Sequence, residues 1–229
     1  FILGYLDRWQ GTDAGLDIDN PWQDTGENGT YFGGVTFTCS DTQSCLDINA
    51  WYYDMSKSES ANTATGNIAN TSAYFDISHH LKIGENYFLH SSVQYLNQSE
   101  KDNSGIDSSI YGFMFEFVVY EDLGFSIAYN KSEKKSGKGS FTGFGGGTLY
   151  TNMDNMIIDN ITADRDAKSF VAGITYSMGD FSFLYAYGDF DGDEDSTGQK
   201  EHVVEQNIGI EYTPTENLTL GAIYTINDD

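Results

Sequence analysis

The chain has 229 residues, with 11 Lys+Arg against 35 Asp+Glu, a formal charge of −24. That balance excludes nucleic acid as a partner, because neutralising phosphates needs a Lys/Arg surplus. With 16 Tyr, 15 Phe and 25 Gly but only 20% charged residues, the chain is neither disordered nor a coiled coil. No apolar run reaches the roughly 18 residues of a transmembrane helix, a test that membrane β-strands escape because they alternate.

Period-2 apolar alternation predicts about eleven strands, each near the roughly 9–11 residues that a tilted membrane strand needs. Phe1–Trp9 comes first, followed by the long polar segment Gln10–Gly29. Thr30–Cys39 and Cys45–Met55 are joined by the short turn Ser40–Ser44, and Ser56–Ser72 is long again. Ala73–Ile83 and Tyr87–Gln98 flank the turn Gly84–Asn86, before the polar stretch Ser99–Ile106. Asp107–Tyr120 and Gly124–Ser132 meet across Glu121–Leu123, and Glu133–Ala167 is the longest connection. Lys168–Met178 and Phe181–Asp189 are separated only by Gly179–Asp180; His202–Tyr212 and Leu218–Thr225 complete the series, with Gly192–Glu201 long and Thr213–Asn217 short. Both prolines, Pro21 and Pro214, are placed between strands, where a missing N–H costs no ladder bond.

Tight turns and long excursions alternate without exception. Successive antiparallel strands therefore have turns at one end and loops at the other, as in outer-membrane barrels, whereas a soluble sandwich has no reason to sort its loops by length. The facing pattern agrees. Phe170, Ala172, Ile174 and Tyr176 share one face of their strand; Phe181, Phe183, Tyr185 and Tyr187 do so on the next; Tyr111, Phe113, Phe115 and Phe117 oppose Gly112 and Glu116. Tyrosines recur near strand ends, as an aromatic girdle requires. The expected fold class is an all-β transmembrane antiparallel up-and-down β-barrel. An odd number of strands, and ends lying in or just after strand-like sequence, read as an incomplete barrel: residues 1–229 as a single barrel-domain fragment of a longer chain, with a long loop at about 133–167.

By alternation from the bulky face, the expected pore-lining residues are Asp47, Asn49, Asp76, Ser92, Gln94, Glu116, Asn130, Glu205, Asn207 and Glu211. An acidic wall raises the local cation concentration, so cation preference is expected. The loop Glu133–Ala167 has apolar content of its own, from Phe141 and Leu149 to Ile158 and Ile161. Loops of this kind are usually packed or functional. Two placements are open. In one it enters the barrel mouth, bringing Gly145, Gly146, Gly147, Asp154, Asp159, Asp164, Arg165 and Asp166 to a constriction. In the other it caps neighbouring loops outside the pore.

Asp189, Asp191, Asp193 and Asp195 place hard-oxygen ligands at alternate positions and form a candidate Ca²⁺ site, though Glu194 and Lys200 violate the EF-hand pattern. The alternative is a solvated acidic loop, and no other cofactor is called for. Cys39 and Cys45 flank a short turn, so a hairpin disulfide in an oxidising compartment is expected. His79, His80, His90 and His202 are too few and too scattered for a triad or an HExxH helix, and no GxSxG element occurs, so no enzyme is read here.

The segments Trp9–Gly15, Asn49–Tyr53, Gly145–Thr151 and Glu205–Ile210 resemble the OprD-like outer-membrane porins, particularly the acidic major outer-membrane porins of that group. The resemblance runs in order over nearly the whole chain and is to the C-terminal part of such porins. It implies an eighteen-stranded barrel in the bacterial outer membrane, a homotrimer in contact with lipid and lipopolysaccharide, passing ions and small hydrophilic solutes. Some members line the pore with basic residues; the only arginines here are Arg8 and Arg165. Two other readings remain open: a surface adhesion barrel with a plugged lumen, and a soluble β-sandwich binding carbohydrate through Trp9, Trp22 and Trp51.

Overall fold

A computed structural model describes residues 1–9, 23–24, 29–41, 43–57, 67–120, 122–134, 137–141 and 149–228. Eleven of its strands form one antiparallel sheet in which every strand pairs with its neighbours in sequence. They are β1 (Ile2–Leu6), β2 (Thr30–Phe37), β3 (Ser44–Met55), β4 (Asn70–Ile83), β5 (Tyr87–Glu100) and β6 (Ser108–Val119). Then follow β7 (Leu123–Lys134), β8 (Ala167–Met178), β9 (Phe181–Gly192), β10 (Glu201–Thr215) and β11 (Leu218–Asp228). Among the described residues β1 pairs only with β2 and β11 only with β10, so the sheet is open between them. A two-residue ladder, Arg8–Trp9 with Gln23–Asp24, stands apart from the sheet and shortens the first strand relative to its expected Phe1–Trp9 span.

Turn length sorts by end, as the sequence predicts. Gly179–Asp180 alone joins β8 to β9, and Gly179 adopts φ +58°, a left-handed conformation that glycine takes without steric cost. Pro214 corrects its expected place. It lies inside β10, where the register with β11 shifts between Tyr212 and Thr215, and a bulge spares the ladder the N–H that proline lacks. Pro21 falls outside the described residues.

Alternation divides the side chains cleanly. One face carries Tyr52, Phe75, Val93, Phe113, Phe115, Ile127, Phe170, Ile174, Phe183, Ile208 and Leu220, all exposed. Phe115, at mid-strand with no helix or second sheet above it among the described residues, is 44% exposed. In water such a continuous apolar surface would drive aggregation; against hydrocarbon it costs nothing. Aromatics concentrate towards both ends of this face. Tyr87 stacks on Phe117 at 5.9 Å and Phe181 on Tyr212 at 4.6 Å near the short turns, while Tyr95 stands opposite Tyr111 and Tyr5 beside Tyr31 near the loops. On β5, Tyr87 and Tyr95 are roughly 27 Å apart along the strand at ~3.4 Å per residue, close to the height of an apolar band once tilt is allowed for. The exposed aromatic face rules out a sandwich that buries it.

The core lies on the other face. Tyr74, Leu96, Ile110, Ala167, Phe190 and Val203, from six strands, surround Leu149, Met156, Ile158 and Ile161 of the long loop. A second cluster of Tyr53, Met55, Ile68, Ile106 and Phe141 closes the loop end above β3 to β5.

Candidate functional site

The inner face is polar, and its groups are chained across strands. Asp47, at the short-turn end of β3, accepts from the Cys39 backbone N–H at 2.9 Å and approaches His80 Nε2 at 3.3 Å. Further along, Asn49 Nδ2 donates to Asp76 Oδ1 at 2.7 Å, Ser92 donates to Ser78 at 2.9 Å, and Tyr74 donates to Gln94 at 3.3 Å. Glu116 accepts from His90 at 3.0 Å, and Glu211 lines a groove of about 580 Å³ between β8 and β11 with Thr175, Ser182 and Gly221. The exposed or half-buried wall charges Asp47, Asp76, Glu116 and Glu211 face the lumen side; on the same face Lys82 lies 5.2 Å from the Phe88 ring and Lys134 pairs with Asp164.

Across this face runs the loop between β7 and β8, described over residues 137–141 and 149–166. Residues 137–141 pair with the β5–β6 connection through Gly139 N–H to Gly105 O, and Gln98 holds both the N–H and the carbonyl of Phe141. Residues 149–161 lie flat on the inner wall. Thr151 hydrogen-bonds Asn130 and Ser169; Met153 packs at Gly188, where any Cβ would collide with its sulfur; Asp154 accepts from Thr225 of β11. The backbone N–H groups of Asn155 and Met156 both donate to the Glu205 carboxylate, at 3.2 and 2.7 Å. Tyr150 reaches the opposite side, its hydroxyl pushed up to about 12 by burial and by Asp76 nearby.

The sequence-predicted residues thus divide. All ten expected lining residues lie on the inner face, but Ser92, Gln94, Asn130, Glu205 and Asn207 are buried there. This corrects their expected role: Glu205 serves as the loop's anchor, because two backbone N–H groups need an acceptor where water is excluded. The expected constriction set does not converge either. Asp154 reaches the wall, whereas Asp159 accepts from Ser140, Asp164 pairs with Lys134 at 3.3 Å, and Asp166 accepts the Lys134 N–H. Arg165 is buried and clamps the next loop through Asp195 at 3.1 Å and Glu201 at 3.6 Å, over a glycine, Gly192, whose Cβ would strike it. Gly145, Gly146 and Gly147 lie outside the described residues.

The Ca²⁺ reading is also corrected. β9 runs on to Gly192, so strand alternation turns Asp189 and Asp191 to the outer face, where they meet His202 and Lys168. Asp195 is spent on Arg165 and on the N–H groups of Thr197 and Gln199. Asp193 lies in the loop beyond, its N–H bonded to the Asp166 carbonyl. Among the described residues no three His, Cys, Asp or Glu side chains gather as a metal would require. Cys39 and Cys45 are joined in a disulfide with their Cα atoms 5.5 Å apart. Trp51 packs on Phe32 and Tyr53 at the inner face; Trp22 and the side chain of Trp9 lie outside the described residues.

No protein-family model matches the chain, and no curated protein does. Solved structures do. Pseudomonas aeruginosa OpdQ superposes with a TM-score of 0.75 at 18% identity, over 99% of this chain and 61% of its own. Acinetobacter baumannii OccAB2 follows at 0.71 and 16%, over 99% and 57%, and the outer membrane protein OprD from Pseudomonas aeruginosa at 0.67 and 13%, over 89% and 55%. The chain has the OprD-type barrel fold. It spans little more than half the length of these barrels, which accounts for a sheet that does not close on itself. The inner face here presents carboxylates, and Arg165 is withdrawn into a loop clamp.

Proposed function

We propose that the chain forms the larger arc of a water-filled channel in a bacterial outer membrane, giving passive passage to ions and small hydrophilic solutes. The observation that carries this is the division of one sheet into an uncovered aromatic face and a polar face with its own loop laid across it. Lipid accepts the first and water the second. No chemistry is performed on the solute. The loop narrows the passage, and wall charge biases what enters.

We further propose cation preference. Four wall carboxylates face the lumen with Lys82, while Lys134 on the same face is spent on Asp164, and field lines focused in a narrow aqueous path raise the local cation concentration. The test is planar-bilayer recording of the full-length protein across a tenfold KCl gradient. A reversal potential of cation sign, reduced in D76N/E116Q, supports the proposal; an anion-selective wild-type pore overturns it. The plugged-lumen reading has one observation in its favour, the loop packed on the inner wall, and absence of any conductance would select it. Homotrimeric assembly and lipopolysaccharide contact follow from the resemblance alone; the mass of the detergent-extracted complex tests the former.

A further inference from the structure

The sequence scatters four histidines, and folding brings two of them face to face. His80 on β4 and His90 on β5 are direct cross-strand partners on the inner face. Their ring centroids are 4.5 Å apart at an interplanar angle of 77°, and their side chains are 42% and 31% exposed. Each ring has a carboxylate on one nitrogen only. Asp47 stands 3.3 Å from His80 Nε2 and Glu116 stands 3.0 Å from His90 Nδ1. Among the described residues, Nδ1 of His80 and Nε2 of His90 have no partner.

From this arrangement we propose that His80 and His90 form a two-imidazole site for a first-row divalent transition ion, with Zn²⁺ the natural probe. Three physical points support it. Imidazole is a preferred ligand of zinc, nickel and copper, and a ligating histidine characteristically gives its second ring nitrogen to a carboxylate, which orients the ring and raises its basicity. Both rings here have that partner before any metal arrives. The spacing also suits shared coordination. An ion 2.0–2.1 Å from each ring nitrogen lies about 3.2 Å from each centroid, so two ligands 90–109° apart place their centroids about 4.5–5.2 Å from each other. The rings already stand at the lower end of that range. Finally, the site is open to water, which completes the coordination shell and gives the ion a way in and out. Asp47 and Glu116 orient the rings and are not ligands, in keeping with the absence of any three-residue metal cluster among the described residues.

The remaining histidines serve as internal controls. His79 points to the outer face beside Ser44, and His202 lies on the outer face beside Asp189. The proposal rests on the channel reading only in taking the inner face to be reached by water.

The test is calorimetric titration of the detergent-solubilised full-length protein with ZnCl₂, in parallel with bilayer conductance at fixed zinc. The expected result is one zinc per chain, lost in H80N and in H90N, retained in H79N and in H202N. D47N should weaken it by roughly tenfold or more through the positioning of His80. Unchanged uptake in an H80N/H90N chain that migrates as a folded barrel overturns the site, as does loss of uptake in H79N or H202N. If H80N or H90N fails to fold, H80Q/H90Q takes its place with the same two outcomes. Zinc uptake with the expected variant pattern but no conductance in any chain would remove the channel reading and leave the site standing.

Discussion

Replacing Glu205 with Gln is the sharpest probe of how the loop is held. The carboxylate is fully buried on the inner face and accepts two backbone N–H groups from the loop, one of them at 2.7 Å. A glutamine of the same shape keeps one acceptor oxygen and turns an NH₂ towards the second N–H. One bond falls from charge-assisted to neutral and the other becomes an orphaned buried donor, for a total cost of about 2–4 kcal/mol. Since about 1.4 kcal/mol is a factor of ten, the population with the loop released should rise roughly 30- to 1,000-fold. The readout is thiol labelling. Both native cysteines are paired, so a cysteine placed at Met156, a loop residue whose side chain is buried against the wall, supplies the reactive thiol. The M156C/E205Q chain should label faster than M156C by that factor, and single-channel records should show more frequent excursions to a wider state. A labelling ratio within about threefold would refute the reasoning, since Leu149, Ile158 and Ile161 would then hold the loop by apolar burial alone.

Four shorter expectations follow from other parts of the structure. Phe115→Arg, at the middle of the exposed face, should cost roughly 2–4 kcal/mol in urea-dependent folding into vesicles, while the same change in detergent-free water should leave no soluble folded form. Equal stability of F115R and wild type in lipid would deny that this face meets hydrocarbon. Removing the Cys39–Cys45 disulfide by double serine substitution should lower stability by about 2 kcal/mol, the amount expected for closing so short a loop, seen as an earlier loss of heat-resistant migration on gels. Gly34→Ala drives a Cβ to within 2.3–2.4 Å of Trp51 ring atoms and should cost about 1–3 kcal/mol by overpacking, measured in the same gel assay. The clamp between the two outer loops should survive mild acid. Asp195 is held below the usual carboxylate range by the Thr197 hydroxyl, the Gln199 N–H and Arg165, and Asp164 by Ser196 and Lys134. A carboxyl depressed in the folded state contributes stability above its unfolded value, near 3.9, and loses it as pH falls through the folded one. Protease cleavage within residues 193–200 should therefore stay slow at pH 5 and accelerate only below the usual carboxylate range; acceleration between pH 7 and 5 would contradict this.

Much of the architecture was written locally. The alternation of Tyr111, Phe113, Phe115 and Phe117 with Gly112 and Glu116 determined which face of β6 is apolar, because a strand's side-chain period is two whatever surrounds it. Turn chemistry at Gly84–Asn86 and Gly179–Asp180 determined which strands are hairpin partners, and the six-residue spacing of Cys39 and Cys45 was enough to expect their disulfide. Local pattern failed where a distant element decided the environment. Pro214 reads as a strand terminator but is absorbed by a bulge whose need arises only from the register with β11.

The sequence by itself determined that this chain is a ribbon of amphipathic hairpins with an acidic, polar inner face. Only the tertiary structure decided which inner residues meet water. The loop spends Glu205 on its own backbone, Arg165 is drawn to Asp195, and two histidines ten positions apart in the chain become neighbours across a strand pair. The physical reason is range. Facing and turning follow from φ/ψ preferences within a few residues, whereas burial, ion pairing and cross-strand juxtaposition depend on where the rest of the chain has folded.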